Sequence, residues 1–229
     1  MNRLLLISNS TQYGRGYLDH VDSELRSLIG RAKRVLFAPF ALFDREAYVA
    51  KARTRFQAMG YELEALGRRD QLEGAEALFV GGGNTFRLLK ALQDLELLAP
   101  IRRRVAEGMP YVGSSAGSIV AGPTLKTTKD MPIVQPRSFE ALALVDFQVS
   151  PHYLDPDPAS VHMGETQEER ILQFLEENDA AVVGLREGAW IRVEGSTATL
   201  GGSPTARVFA RGRAPLEVKP GEALPGGSR

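Results

Sequence analysis

The residues with the plainest chemical purpose are Gly113-Ser114-Ser115-Ala116-Gly117, a Gly-x-Ser-x-Gly spacing that follows the apolar run Pro110-Tyr111-Val112. A nucleophile on a strained strand-to-helix turn needs neighbours without bulk on both sides, so that its side chain projects clear of the backbone. Free N–H groups at the start of the following helix would favour the oxyanion formed when serine attacks a carbonyl. Serine between glycines is also common in ordinary loops, and a neutral hydroxyl is a poor nucleophile, so Ser115 needs a base before the spacing has catalytic meaning.

Three histidines are available: His20, His152 and His162. His20 lies in a polar stretch ahead of the first helix and reads as a surface or cap residue. His162 lies beyond the Pro/Asp-rich loop Asp155 to Ser160 and reads as solvated, with a place on the substrate rim as the alternative. His152 follows a strand end directly, in Ser150-Pro151-His152-Tyr153, where α/β sites collect their residues, and is the favoured base. A carboxylate should orient its ring and stabilise the imidazolium. Asp130, in the loop Lys126 to Pro132, and Glu187, in Gly184-Leu185-Arg186-Glu187-Gly188, both qualify, and sequence leaves the choice open. Gly81-Gly82-Gly83-Asn84 lacks the spacing of either phosphate-binding glycine motif. It suits an oxyanion hole instead, with the N–H groups of Gly83 and Ala116 as donors. No two histidines have ligand spacing and there is no cysteine, so neither metal nor cofactor is expected.

These residues need a scaffold, and 229 residues, 43% of them hydrophobic, suffice for one α/β domain spanning 1–229. Twenty-eight Lys+Arg against 28 Asp+Glu leave no net charge, which argues against a general electrostatic hold on nucleic acid or anionic membrane. A small-molecule or peptide partner fits better, and oligomeric state stays open. The apolar start Leu4 to Ile7 is too short for a signal-peptide core or a membrane span, so a cytoplasmic protein is expected.

Leu4 to Ile7, Val35 to Ala38 and Ala77 to Val80 read as buried strands, with a weaker strand at Leu63 to Leu66. Between them fall helical stripes, Val21/Leu25/Leu28/Ile29 closed by Gly30 and Tyr48/Ala52/Phe56/Met59 closed by Gly60. Thr85 is the expected cap of a helix with Phe86, Leu89 and Leu92 on one stripe, and Pro100 should end or redirect it. Phe147 to Val149 is a strand, and Thr166 with Glu169 forms a capping box for a helix carrying Ile171, Leu172 and Leu175. From Ala181 short strands and turns suggest an antiparallel edge or meander, and the tail 225–229 should fray. The expected fold is a three-layer, mainly parallel α/β sheet with both glycine clusters on one rim.

The chain resembles peptidase E, the cytoplasmic α-aspartyl dipeptidase family of serine peptidases. The likeness runs through Leu5 to Thr11, Val80 to Phe86, Gly113 to Gly117, Asp130-Met131-Pro132-Ile133-Val134, Pro151-His152, Gly164-Glu165-Thr166, Glu187 to Ile191 and Ala198 to Gly202. The resemblance implies a fold like class I glutamine amidotransferases, Ser115 as nucleophile, His152 as base, either Asp130 or Glu187 as carboxylate, and metal-free cleavage of Asp-Xaa dipeptides. Asn84, Gln167 and Arg170 are then the candidate substrate contacts. Two departures stand out: Ser114 replaces the usual tryptophan, and Gln167 replaces the arginine of Gly-Glu-Thr-Arg. An arginine there would pair bidentately with an aspartate side chain, whereas Gln167 offers neutral hydrogen bonds, so a relaxed Asp preference is expected, with Arg170 as a substitute charge. Two other readings are a non-catalytic binding protein on the same scaffold and a hydrolase of an Asp-rich storage polymer.

Overall fold

The computed structural model describes residues 1–161 and 163–225; His162 and the tail 226–229 lie outside the described residues. Alternation of apolar runs and amphipathic stripes produces β1 (Arg3–Ile7), α1 (Asp22–Ile29), β2 (Arg34–Ala38), α2 (Arg45–Ala58), β3 (Glu62–Ala65) and β4 (Ala77–Val80). Then follow α3 (Thr85–Asp94), α4 (Leu98–Ala106), β5 (Tyr111–Ser114), α5 (Ala116–Ile119), β6 (Gln148–Pro151) and α6 (Gln167–Glu177). The chain closes with β7 (Val182–Leu185), β8 (Ala189–Glu194), β9 (Thr197–Gly202), β10 (Ala206–Phe209) and β11 (Leu216–Val218). None of the described helices is long and apolar enough to cross a membrane.

Seven strands form one sheet in the order β3-β2-β4-β5-β1-β8-β9. It is parallel from β3 to β1, and β8 and β9 join antiparallel. Period-two alternation sends Leu5 and Ile7 of β1, with Val35 and Phe37 of β2, into a core shared with α1 and α2. Leu4, Leu6, Leu36 and Leu78 face the opposite core, shared with α3, α4 and α5. Both faces of the parallel strands are therefore covered, which is why their sequences read as unbroken apolar runs.

A second sheet, β11-β10-β7-β6, packs through Val149, Val183 and Leu185 against that same face. Its far side is covered by Ile171 and Leu175 of α6. The mixed α/β architecture follows expectation, and the C-terminal strands supply an antiparallel edge but divide between the two sheets. The β8-β9 hairpin extends the large sheet, while β7, β10 and β11 join β6 in the small one. Short strands with turn signals specify hairpins; which sheet each hairpin joins depends on distant partners.

Caps follow side-chain chemistry with one correction. Thr166 and Glu169 form the capping box of α6, and Asp44 caps α2. On α3 the cap is Asn84, whose Oδ1 accepts from Arg87 N at 3.0 Å, and not Thr85, which is the first helical residue. Thr85 is instead fully buried and bonded to Asp130. Pro100 sits in the first turn of α4, where its missing N–H has no helical partner to lose.

Candidate active site

The C-terminal ends of β4, β5 and β1 lie side by side, with Val80 opposite Gly113 and Ser114 opposite Ile7. Ser115 follows at φ 51°, ψ −108°, a positive φ that a residue with a β-carbon adopts at a cost of roughly 1–3 kcal/mol. The surroundings hold it there. Ser115 N–H donates to the Ile7 carbonyl at 2.9 Å, and its carbonyl accepts from Ser118 and Ile119. The Ser118 hydroxyl ties the carbonyls of Ile7 and Gly113 together.

The flanking glycines are steric requirements. A β-carbon on Gly113 would come within 2.5 Å of the Gly117 carbonyl oxygen, and one on Gly117 would overlap the Val80 carbonyl. We therefore expect Gly117→Ala to lower unfolding free energy by about 3 kcal/mol or more, because its obstacle is backbone that cannot swing away. Denaturant melts of the purified variant check this; a loss under about 1 kcal/mol would contradict the steric account. The helix behind the elbow is a single turn of four residues, so it offers a few oriented N–H groups and little macrodipole.

His152 follows β6 and is also held at positive φ, 53°. Its N–H donates to Ser8 Oγ at 2.9 Å, while Ser8 in turn donates to the Leu185 carbonyl, so β1 fixes the ends of β6 and β7 together. The ring spans the gap between two groups. Nε2 lies 3.0 Å from Ser115 Oγ, and Nδ1 lies 2.6 Å from Glu187 Oε1. A carboxylate can only accept, so Nδ1 carries the proton and Nε2 turns its lone pair toward the hydroxyl. Glu187 reaches this position because residues 186–188 cross from β7 of the small sheet to β8 of the large one, passing beside His152.

Asp130, the other candidate carboxylate, is engaged elsewhere. Its Oδ2 accepts from Thr85 N at 2.7 Å, Thr85 Oγ1 at 2.6 Å and Thr128 Oγ1 at 3.1 Å, which fixes it at the start of α3. It still lines the cleft in front of Ser115 and His152, a space of about 740 Å³. Gly82 and Gly83 line the same cleft. A β-carbon on Gly82 would press on that of Ser115 at 3.1 Å, and Gly83 holds φ 130° with Leu42 and Ala41 crowding it.

Asn84, Gln167 and Arg170 are not among the residues that line this cleft; Gln167 and Arg170 line a smaller cavity beside α6. Asn84 donates to the Met131 carbonyl while capping α3. Gln167 accepts from Leu154 N and donates to the His152 carbonyl. Arg170 lies 3.6 Å from Glu165. Asn84 and Gln167 have thus spent their amides on protein partners, whereas the Arg170 guanidinium is exposed and makes only that loose ion pair.

Sequence reasoning missed the wall opposite. Asp44, Ala47, Tyr48 and Lys51 line the cleft at helical spacing along α2, where the apolar stripe alone suggested a core face. Tyr17 joins them, with the Lys51 ammonium 4.6 Å over its ring. Burial raises the phenol pKa of both Tyr17 and Tyr48, so each stays a neutral hydroxyl at physiological pH. Ser114, which stands where the resemblance puts tryptophan, is fully buried, and its Oγ has no hydrogen-bond partner among the described residues.

Comparison with known proteins shows the family. A profile of peptidase family S51 matches residues 4–201. Peptidase E of Streptomyces coelicolor is 51% identical, covering 96% of this chain and 93% of that protein. The probable alpha-aspartyl dipeptidase of Drosophila melanogaster is 47% identical over 95% of this chain and 93% of its own. A solved peptidase from an acI-B1 actinobacterium, 18% identical, shares the fold with a TM-score of 0.73 over 98% of this chain and 96% of that one. The protein is an α/β serine peptidase of the dipeptidase type. It belongs to peptidase family S51.

Proposed function

We propose that Ser115, His152 and Glu187 form the catalytic relay of a cytoplasmic exopeptidase that hydrolyses the bond after the N-terminal residue of dipeptides or short peptides. The reading rests on the continuous chain of contacts from the hydroxyl to the imidazole at 3.0 Å and on to the carboxylate at 2.6 Å. Ser115 Oγ attacks the scissile carbonyl carbon as its proton passes to His152 Nε2, and Glu187 balances the imidazolium. The N–H groups of Gly83 and Ala116 hold the tetrahedral oxyanion. His152 then gives its proton to the departing amine, the C–N bond breaks, and the acyl-serine is released by a water that His152 deprotonates. Asp130, held beside the cleft and not on the imidazole, is free to receive the substrate's α-ammonium.

Specificity follows from where the cations lie. Gln167 is neutral and turned to the His152 carbonyl and Leu154, and Lys51 is the single Lys or Arg lining the cleft among the described residues. Among the described residues no guanidinium lines the cleft to pair with an aspartate side chain, so the Asp preference is relaxed. With Lys51 held over the Tyr17 ring and no bidentate receptor in the lining, discrimination falls from the roughly 10⁴-fold of a built hydrogen-bonding site toward about tenfold. Initial rates on Asp-, Ala-, Asn- and Met-linked chromogenic amides should give kcat/KM values within about tenfold of one another. An exclusive preference for Asp would refute relaxed specificity while leaving the relay standing.

A further inference from the structure

His152 is a non-glycine residue at φ 53°, and the direction of its ring follows from a backbone that must be held against its own preference. Its N–H is fixed by Ser8 Oγ. Its carbonyl is fixed by two side chains from different elements, Lys129 Nζ at 3.1 Å and Gln167 Nε2 at 3.2 Å. Lys129 Nζ also donates to the Pro151 carbonyl at 2.7 Å and to Gln167 Oε1 at 3.2 Å. Gln167 Oε1 in turn accepts from Leu154 N. The carbonyls of Pro151 and His152 and the side chain of Gln167, the first residue of α6, are thus gathered on one ammonium, and Gln167 Oε1 links it to the Leu154 amide.

We infer that Lys129, acting with Gln167, is a positioning residue that holds His152 in the conformation that presents Nε2 to Ser115. The inference rests on the Ser115-His152-Glu187 relay proposed above. An ammonium has three N–H groups, and here three acceptors take them, so Lys129 has no donor left for a substrate carboxylate. It does not line the Ser115 cleft; it lines a separate cavity of about 80 Å³ beside α6 with Ser150, Ile171 and Phe174. Charge-assisted bonds to backbone carbonyls are stronger than neutral ones, which suits the restraint of a strained residue. The position where the resemblance puts a long cation instead carries a short amide, and Lys129 from the neighbouring loop meets that amide.

Burial pulls the Lys129 ammonium down to about 8, with Asp130 and Glu187 opposing the shift and Arg170 adding to it; His152 and Gln167 are its other close neighbours. Above that pH the neutral amine keeps two N–H groups for three acceptors. The clamp should loosen, and an alkaline fall in kcat should appear near pH 8.

The test compares the full chain with Lys129→Met and Lys129→Arg on a chromogenic N-terminal amide, together with the rate of fluorophosphonate labelling at Ser115. Lys129→Met should lower kcat and the labelling rate by about 10- to 100-fold, with KM within twofold. It should also lose the alkaline limb, and Lys129→Arg should restore part of kcat. Retention of kcat within twofold, or a change confined to KM, would overturn the inference. So would labelling of Lys129→Met at the unsubstituted rate. Lys129→Gln, which keeps N–H donors without charge, is the second variant. If melting curves show both Met and Gln forms unfolded, Lys129 is a stability residue and the positioning role fails. Absence of labelling at Ser115 in the unsubstituted protein would overturn the relay itself, a separate outcome from the others.

Discussion

Ser115→Ala should abolish turnover, with kcat down by roughly 10⁴-fold or more and the melting temperature within a few degrees of the parent. The size follows from the part assigned to the hydroxyl. It supplies the atom that bonds to the substrate, and removing it leaves only the cleft's N–H groups to stabilise a direct attack by water. Alanine changes little else. Ser115 holds its place through main-chain bonds to Ile7, Ser118 and Ile119, all of which alanine retains. Steady-state kinetics on the best amide substrate with a denaturant melt measure both halves. An active Ala variant would remove Ser115 from the mechanism; an inactive but unfolded one would show that the hydroxyl serves the elbow's structure.

The second large effect separates the two carboxylates. Glu187→Gln should lower kcat by about 10³- to 10⁴-fold, because an amide can present its N–H to Nδ1 and so favour the tautomer with the proton on Nε2, pointing at Ser115. It also removes the charge that balances the imidazolium. Asp130→Asn should change kcat by less than about tenfold and act mainly through KM, since Asp130 is bonded to Thr85 and Thr128 and faces the cleft, not the imidazole. Both side chains of the His152–Glu187 pair are partly solvent-exposed, 41% and 55%. Water screens such a pair, so the carboxylate's effect is expected in kcat and hardly at all in stability. Reversed outcomes, with Asp130→Asn crippling kcat and Glu187→Gln mild, would transfer the role to Asp130.

Much of the molecule was legible from local pattern. Unbroken apolar runs marked β1, β2 and β4 because a parallel strand covered on both faces has no polar side. The Gly-x-Ser-x-Gly elbow was legible because its sterics are short-range: Gly113 and Gly117 must be small for reasons lying within the turn and the strand beside it. His152 drew attention because a histidine after a strand end in an α/β chain lies at the rim that carries the chemistry. The Thr166/Glu169 capping box needed only four residues to declare itself.

Other features resisted such reading. Thr85 is a good capping type, but a buried hydroxyl beside Asp130 lets Asn84 take the cap. The stripe Asp44, Ala47, Tyr48 and Lys51 has helical spacing, yet nothing local says that it overlooks a cleft and not a neighbour. Gln167 stands in a motif that suggested substrate contact, while its amide is occupied by His152, Leu154 and Lys129, the last 38 residues earlier in the chain.

Residue types and spacing were enough for the elements, the elbow, the histidine that meets Ser115 and the shortlist of two carboxylates, since apolar runs, small flanking residues and a strand end each show in a few consecutive residues. The choice of Glu187 as the group facing Nδ1, and the gathering of Ser8, Lys129 and Gln167 around His152, depend on how two sheets pack. That packing is driven by burial of apolar faces, which carries no directional record in the polar residues it brings together. A carboxylate 35 residues from its histidine meets it only because the 186–188 crossover must pass the end of β6 on its way from one sheet to the other.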